Sequence, residues 1–226
     1  MAMSTRIKNR ILLVDDHPIV RRGLQLLISL EPDLVVCGEA ESAPIAVERV
    51  MALKPDLVVV DLALKGGSGL ELIKQLRSQH ARLKILVFSM RDEGIYAERA
   101  LRAGANGYIT KEEGAEKALE AIRLILQGRH YVSENISAKM VARIAGGGAL
   151  GQTAQELLSD RELEVLEMIG EGHGSREIAV QLGVSMKTIE SHREHIKAKL
   201  GMAGASALVR YAIHWMRTAR ELAGTP

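Results

Sequence analysis

Ile11-Leu12-Leu13-Val14-Asp15-Asp16 and Leu57-Val58-Val59-Val60-Asp61 repeat one pattern, a run of four apolar residues that stops on an acid. Short continuous apolar runs of this kind suit strands covered on both faces, as in a parallel sheet. If the two runs belong to one such sheet, Asp15, Asp16 and Asp61 converge at its carboxyl edge, where open α/β sheets place their ligands. Three like charges so close repel one another and ask for a divalent cation. Oxygen-only ligands favour Mg2+, which binds a few carboxylates and keeps positions open for water and phosphate oxygens. Asp61 is then a candidate phosphate acceptor.

Working outward, the first half of the chain alternates short apolar runs with longer helical patterns, the signature of βα units. Strands are predicted at about Arg10 to Val14, Asp33 to Cys37, Asp56 to Val60, Lys84 to Phe88 and Asn106 to Ile109. Five helical patterns accompany them: one after Pro18, one through Ile45, Val47 and Val50, one after Ser68, one over Ile95 to Ala103 and one over Ala115 to Gln127. This predicts a doubly wound α/β domain around a five-stranded parallel sheet, covering residues 8–128. Beyond it the strand signal stops. Residues 129–153 read as a linker holding one helix, Ser133 to Ile144, and a hinge at Gly146-Gly147-Gly148 and Gly151. From residue 154 to 220 only helical patterns appear, at Arg161 to Gly170, Ser175 to Leu182, Met186 to Leu200 and Ala205 to about Arg217, so an all-α four-helix domain is expected.

A chain of 226 residues is long enough for two modest domains with cores of their own. No apolar stretch reaches the roughly 18 residues of a membrane helix, and Met1 to Arg10 lacks the apolar core of a secretory signal. A cytoplasmic location with no membrane partner is expected. The single cysteine, Cys37, falls in an apolar run and reads as a small buried hydrophobe. Net charge is only +2, but it is uneven: between Ser185 and Arg220 seven Lys/Arg face Glu190 and Glu194 alone, a local surplus able to meet phosphates.

The segment Val14-Asp15-Asp16-His17-Pro18, Asp61 after a hydrophobic strand, Gly69-Leu70-Glu71 after it, Ser89 after the fourth strand and Tyr108-Ile109-Thr110-Lys111 after the fifth resemble a response-regulator receiver domain, a flavodoxin-like fold. The resemblance implies that Asp61 is phosphorylated by a sensor histidine kinase. It implies Mg2+ held by Asp16, Asp61 and the backbone carbonyl of Ala63, with Asp15 assisting through water. Lys111 would supply a positive charge to the phosphoryl oxygens, Ser89 would hydrogen-bond the new phosphoryl group and pull its loop inward, and Tyr108 would change rotamer to fill the space. Taken singly, each residue also has a plain structural reading: Asp16 or Asp61 as a helix cap, Ser89 as a turn residue, Lys111 as surface charge, Tyr108 as packing. Lys65 stands where such domains commonly carry proline, which would loosen the loop beside Asp61 and alter phosphate lifetime.

In the second half, Leu158-Ser159-Asp160-Arg161-Glu162 reads as a helix start with Ser159 or Asp160 as N-cap. Ser175 to Leu182, a turn at Gly183 and Met186 to Leu200 then form a helix-turn-helix, with Ile189, Ile196 and Leu200 on its buried side and Lys187, Glu190, Ser191, Glu194 and Lys197 outward. The Asp160-Arg161-Glu162 opening, Glu177-Ile178-Ala179 and Thr188-Ile189-Glu190-Ser191-His192 resemble the LuxR-type helix-turn-helix of the NarL/FixJ subfamily. By that resemblance Glu190, Ser191 and Glu194 face base edges, and Lys187, Thr188, Arg193 and Lys197 face phosphates. His192 and His195 lie one turn apart, but nothing completes a tetrahedral zinc set.

Together these readings predict a transcription regulator and not an enzyme. Its partners would be a histidine kinase, double-stranded DNA, a second copy of the chain and RNA polymerase. An aspartate-nucleophile phosphohydrolase is disfavoured because Ala63 occupies the position where a second acid would protonate the leaving group. A dinucleotide-binding dehydrogenase lacks its glycine-rich loop. A receiver with a phosphorylation-independent or protein-binding output stays open as the alternative.

Overall fold

Alternate residues of the central strands face opposite helical layers, and both faces are apolar. Strands β1 (Asn9–Val14), β2 (Leu34–Ala40), β3 (Leu57–Val60), β4 (Lys84–Ser89) and β5 (Gly107–Thr110) form a parallel sheet in the order β2-β1-β3-β4-β5. The computed structural model describes residues 8–65, 67–144 and 154–223. The chain divides into two units, Met1–Ser133 and Glu134–Pro226.

In the first unit Ile11, Leu13, Leu57, Val59, Leu86 and Phe88 join one core cluster with Leu24 and Ile28 of α1 (Pro18–Ser29) and Ala118, Leu119, Ile122 and Ile125 of α5 (Ala115–Leu126). The intervening residues Leu12, Val14, Val58, Val60 and Val87 are equally buried. Helices α2 (Ala43–Leu53), α3 (Gly69–Gln79) and α4 (Glu93–Ala103) complete the layers. Burial on both faces explains why the strands read as unbroken apolar runs. Each such side chain contributes roughly 1.5–3 kcal/mol.

Three local features depart from the expected boundaries. Strand β2 runs on to Ala40, because a register shift lets Gly38-Glu39-Ala40 resume pairing with Leu12-Leu13-Val14. Cys37 is the extra residue at this shift and is only half-buried, correcting its expected burial. The first unit also extends past Gly128 to Ser133. Tyr131 N–H donates to Asn106 O at 3.1 Å, and Tyr108 N–H to Tyr131 O at 2.8 Å, so the chain leaving α5 covers the open edge of β5. Finally, Ala63-Leu64 and Gly67-Ser68 form a two-residue antiparallel pair just after β3, with exposed Lys65 between them.

That small pair returns the chain to Asp61. Gly69 N–H donates to Leu62 O at 3.0 Å, and a Cβ added at Gly69 would stand 2.3 Å from Asp61 O and 2.5 Å from Leu62 Cα. Only glycine allows α3 to start against the backbone that carries the acid.

The second unit is helical: α6 (Glu134–Ile144), the single turn α7 (Ala154–Leu157), α8 (Asp160–Gly170), α9 (Ser175–Gln181), α10 (Met186–Lys199) and α11 (Ala205–Ala223). The glycine cluster expected to act as a hinge lies outside the described residues. Ser159, and not Asp160, caps α8 in a reciprocal capping box with Glu162. Leu163, Leu166, Ile169, Ile178, Ile189, Ile196 and Leu208 are buried. Leu200, expected on the buried side, is half-buried, because α10 ends at Lys199 and Leu200 is its C-cap.

Glu162 is buried, and its Oε2 accepts from Lys199 Nζ at 2.6 Å and from Ser159 N–H at 2.8 Å. Burial pushes its carboxyl up, but the Lys199 ammonium and the Ser159 amide outweigh this and hold it below the usual glutamate value. A depressed folded value means the ion pair stabilises above the unfolded value of about 4.5 and is lost as pH falls further. Glu162→Gln is expected to lower stability at pH 7 by about 1 kcal/mol, read as an earlier melting transition of Trp215 fluorescence. The gap should shrink progressively as pH falls below the unfolded value of about 4.5, and a pH-independent gap would contradict the assignment. Gly69→Ala should cost about 1–3 kcal/mol by overpacking, seen as lost amide-exchange protection at Val58 to Val60. Unchanged protection would count against the close approach at Asp61.

Candidate functional site

The parallel register brings strand ends to one level: Val14 pairs with Val60, Val60 with Val87 and Ser89 with Thr110. Asp15 and Asp16 follow β1, Asp61 follows β3, Ser89 closes β4, and Lys111 opens a 3-10 turn (Lys111–Glu113) after β5. The sheet therefore gathers residues separated by up to 96 positions in the sequence.

Lys111 Nζ lies 2.7 Å from Asp15 Oδ2 and 2.6 Å from Asp61 Oδ2, with all three side chains buried. Burial pulls the Lys111 ammonium down, but the attraction of Asp61 and Asp15 more than offsets it, so the pKa rises above the usual lysine value. Lys111 is firmly charged at neutral pH. Asp61 Oδ1 accepts from Ser89 Oγ at 2.5 Å and from Ala63 N–H at 3.1 Å. Ala63 is thus fixed beside Asp61 through its amide and its pairing with Ser68.

The second acid differs. The Asp16 side chain is 9% exposed, and its Oδ1 is buried without a hydrogen bond; His17 Nδ1, 2.8 Å away, makes its hydrogen bond to Asp15 Oδ1. An unsatisfied buried carboxylate oxygen is costly. Asp15, Asp16, His17 and Asp61 each offer one donor atom, all within 4.8 Å of one another. Three carboxylates against one ammonium leave negative charge uncompensated, and the orphaned Asp16 oxygen is the position a cation would satisfy. The residues present therefore fit a divalent metal such as Mg2+.

Ser89 and Tyr108 are already inward. Ser89 is fully buried on Asp61, and Tyr108, 1% exposed, donates its hydroxyl to Arg91 O at 2.7 Å. The Asp61 carboxylate itself serves as the acceptor for Ser89, and the Arg91 carbonyl as the acceptor for Tyr108. Arg91 in turn stands 5.7 Å from the Tyr96 ring centroid, and Glu93 Oε1 accepts from Ser133 Oγ at 2.8 Å.

His17 is the residue whose place in the cluster sequence reasoning missed. Its backbone N–H donates to Asp15 Oδ1 at 2.8 Å, the turn an aspartate makes with the residue two positions on. Its ring Nδ1 lies 3.1 Å from the same oxygen. His17 is the N-cap of α1 without a side-chain cap bond. The Asp-x-His spacing before Pro18 was the available signal.

In the second unit α9 and α10 meet at a tight turn in which Val184 N–H donates to Ala179 O at 3.0 Å and Gly183 takes a φ of 64°. Ser185 caps α10 through Thr188 N–H, and the Thr188 hydroxyl lies 2.8 Å from the Ser185 hydroxyl, so Thr188 is engaged in the cap. Lys187, Glu190, Ser191 and Glu194 are exposed, while Arg193 and Lys197 are half-buried, Lys197 contrary to its expected outward place. Arg193 Nε stands 4.0 Å from Glu190 Oε2, and Lys197 Nζ 2.8 Å from Glu194 Oε1. Each glutamate expected to face bases thus leans on a cation expected to face phosphate. His195 Nδ1 stands 3.9 Å from Glu162 Oε1.

Residues 11–123 match the response regulator receiver domain family, and residues 156–212 match the bacterial regulatory proteins of the luxR family. The oxygen regulatory protein NreC of Staphylococcus aureus is 36% identical over 209 residues, 90% of this chain and 96% of that protein. A two-component response regulator of the LuxR family from Aurantimonas is 38% identical and superposes with a TM-score of 0.57, covering 61% of this chain and 99% of the other. The structure of RcsB from Salmonella enterica serovar Typhimurium, bound to promoter P1flhDC in the presence of phosphomimetic BeF3-, is 27% identical, with a TM-score of 0.63 over 91% of this chain and 98% of that one. No helix among the described residues is long and apolar enough to cross a membrane. The chain belongs to the LuxR-family two-component response regulators, with a receiver domain and a LuxR-type DNA-binding domain.

Proposed function

We propose that this response regulator takes a phosphoryl group from a histidine kinase onto Asp61, and that the modified form dimerises on DNA to control transcription. The observation that carries the reading is the gathering of Asp15, Asp16, Asp61, Ser89 and Lys111 at one sheet edge, with one buried acid oxygen left unsatisfied. Residues 8–128 would be the phosphoacceptor domain, 129–153 a linker and 154–220 the DNA-binding domain.

In the transfer a carboxylate oxygen of Asp61 forms a bond to phosphorus, the phosphorus–nitrogen bond to the kinase imidazole breaks, and the imidazole leaves with its electron pair and picks up a proton. Such a transition state asks mainly for alignment and charge neutralisation. Lys111, already 2.6 Å from Asp61, supplies positive charge next to the entering oxygens. Asp16, Asp61 and the Ala63 carbonyl would hold Mg2+, with Asp15 assisting through water; when bound, the ion neutralises phosphoryl oxygen charge. Ser89 exchanges its acceptor, from Asp61 Oδ1 to a phosphoryl oxygen. That exchange pulls on the segment ending at Arg91, whose carbonyl holds Tyr108. The covalent group biases a two-state equilibrium at α4 and β5. Lys65 beside this loop would alter the lifetime of the phosphoryl group.

At the output, α10 would lie in the major groove, with Lys187 placing the helix on phosphate and Glu190, Ser191 and Glu194 towards base edges. Thr188, Arg193 and Lys197 would add phosphate contacts, the latter two after leaving Glu190 and Glu194. One short helix reads few base pairs, so specific binding calls for two copies on adjacent half-sites. RcsB in its promoter complex supports this output by kinship. The chain would act in the cytoplasm, with RNA polymerase as a further partner.

Two measurements test this. Promoter fragments selected from random DNA should bind at least tenfold tighter when acetyl phosphate and Mg2+ are added, and Asp61→Ala should abolish both phosphoryl incorporation and that gain; an equal gain in the variant would refute the acceptor. Lys187→Ala should weaken binding to all sequences and reduce the slope of log affinity against log salt by about one. An unaltered slope would remove Lys187 from the phosphate contacts.

A further inference from the structure

At the amino edge of the sheet, the end opposite Asp61, the segments leaving α2 and α3 border a cavity of about 660 Å3. Its size is that of a small-molecule site. Val50, Pro55 and Leu83, all buried, supply its apolar wall, and Lys54, His80 and Arg82 supply polar groups. Among the described residues neither Lys54 nor Arg82 has an ion-pair partner, and His80 Nε2 is buried without a hydrogen bond.

Helix C-termini attract cations, but the two here are served by other side chains. Arg10 Nη2 donates to Leu53 O at 3.0 Å at the end of α2, and Arg77 Nη1 donates to Ala81 O at 2.6 Å just past α3. Lys84 is also engaged, its Nζ donating to Leu126 O at 2.5 Å. The one carboxylate among the described lining residues, Asp56, accepts from Arg10 N–H at 2.7 Å and forms no ion pair with Lys54 or Arg82. Positive charge on Lys54 and Arg82 is therefore uncompensated. Lys54 is also the one non-glycine among the described residues with a positive φ, 47°, at the C-cap of α2. Glycine would make that turn without strain. A lysine kept there at a conformational cost marks a side chain with a use, since such outliers collect at binding sites.

We propose that this cavity binds a small organic anion with an apolar body. Its charged group would lie on Lys54 and Arg82, and its body against Val50, Pro55 and Leu83. The site stands where β3 and β4 begin, the strands that deliver Asp61 and Ser89 at their far ends. An occupant would hold those strands from the side away from the phosphoacceptor.

The test uses the full chain and two probes of one shape, the aromatic sulfonate anilinonaphthalene sulfonate and its uncharged parent phenylnaphthylamine. By fluorescence titration the sulfonate should saturate a single site and bind roughly tenfold tighter than the parent, the worth of one hydrogen bond to a charged group. Amide resonances that shift on binding should centre on Met51, Lys54, Asp56 and Leu83. Lys54→Gly should weaken the sulfonate by a similar factor and leave the parent unchanged, while melting no lower than wild type because the strained φ is relieved. Loss of binding is then not loss of folding. Arg82→Gln, at an exposed position, should act likewise on the sulfonate. Equal affinity for the two probes, sulfonate affinity retained in either variant, shifts centred away from the cavity, or no saturable binding would each overturn the proposal.

Discussion

The Lys111 ammonium sits between the buried carboxylates of Asp15 and Asp61. Without that cation, two acids at the ends of neighbouring strands would repel across a distance the parallel register does not allow to grow. With it, one acid too many remains. Asp16 adds a carboxylate whose buried Oδ1 takes no hydrogen bond, and the pocket keeps an appetite for positive charge. The fold thus holds a charge imbalance that its core is stiff enough to tolerate. Buried ion pairs of this kind are weak contributors to stability on their own; their consequence here is that Asp61 is held fixed, aligned and close to a positive charge.

What surrounds Asp61 also connects it to the rest of the unit. Ser89 bonds its carboxylate, and two residues on, the carbonyl of Arg91 accepts from Tyr108. The Tyr108 amide in turn donates to Tyr131, in the segment leaving α5, and Ser133 at the end of that segment donates to Glu93 at the start of α4. A continuous set of short contacts therefore runs from the acid to the last residues of the first unit. Such a chain of contacts carries coupling only if it has two arrangements, and the exchange of Ser89 between two acceptors supplies a local reason for a second one.

Much of this was legible in the residues because strand ends are announced by chemistry. Apolar runs that stop on an acid gave the sheet, its parallel sense and the set Asp15, Asp16 and Asp61 without coordinates, whereas Ser89 and Lys111 came from the resemblance to receiver domains. The misses share a cause, which is that backbone geometry overrides composition. Gly38 looks like a strand end but follows a register shift at Cys37, and β2 continues to Ala40. Tyr131 has no strand pattern around it, yet β5 needs its edge covered. His17 was read only as part of a motif, since its approach to Asp15 and Asp16 depends on a turn and not on periodicity. On α10 the pattern identified the outward face but not that Glu190 and Glu194 pair along the helix with Arg193 and Lys197.

The account stands on Asp61 as the atom-level acceptor, and trapping the bond it forms is the most direct test. The chain would be treated with acetyl phosphate and Mg2+, reduced with borohydride and digested. An acyl phosphate at Asp61 would convert that residue alone to homoserine, and omission of Mg2+ would suppress the conversion. Homoserine at another aspartate, or none at any position in chain that incorporates phosphate, would contradict the account.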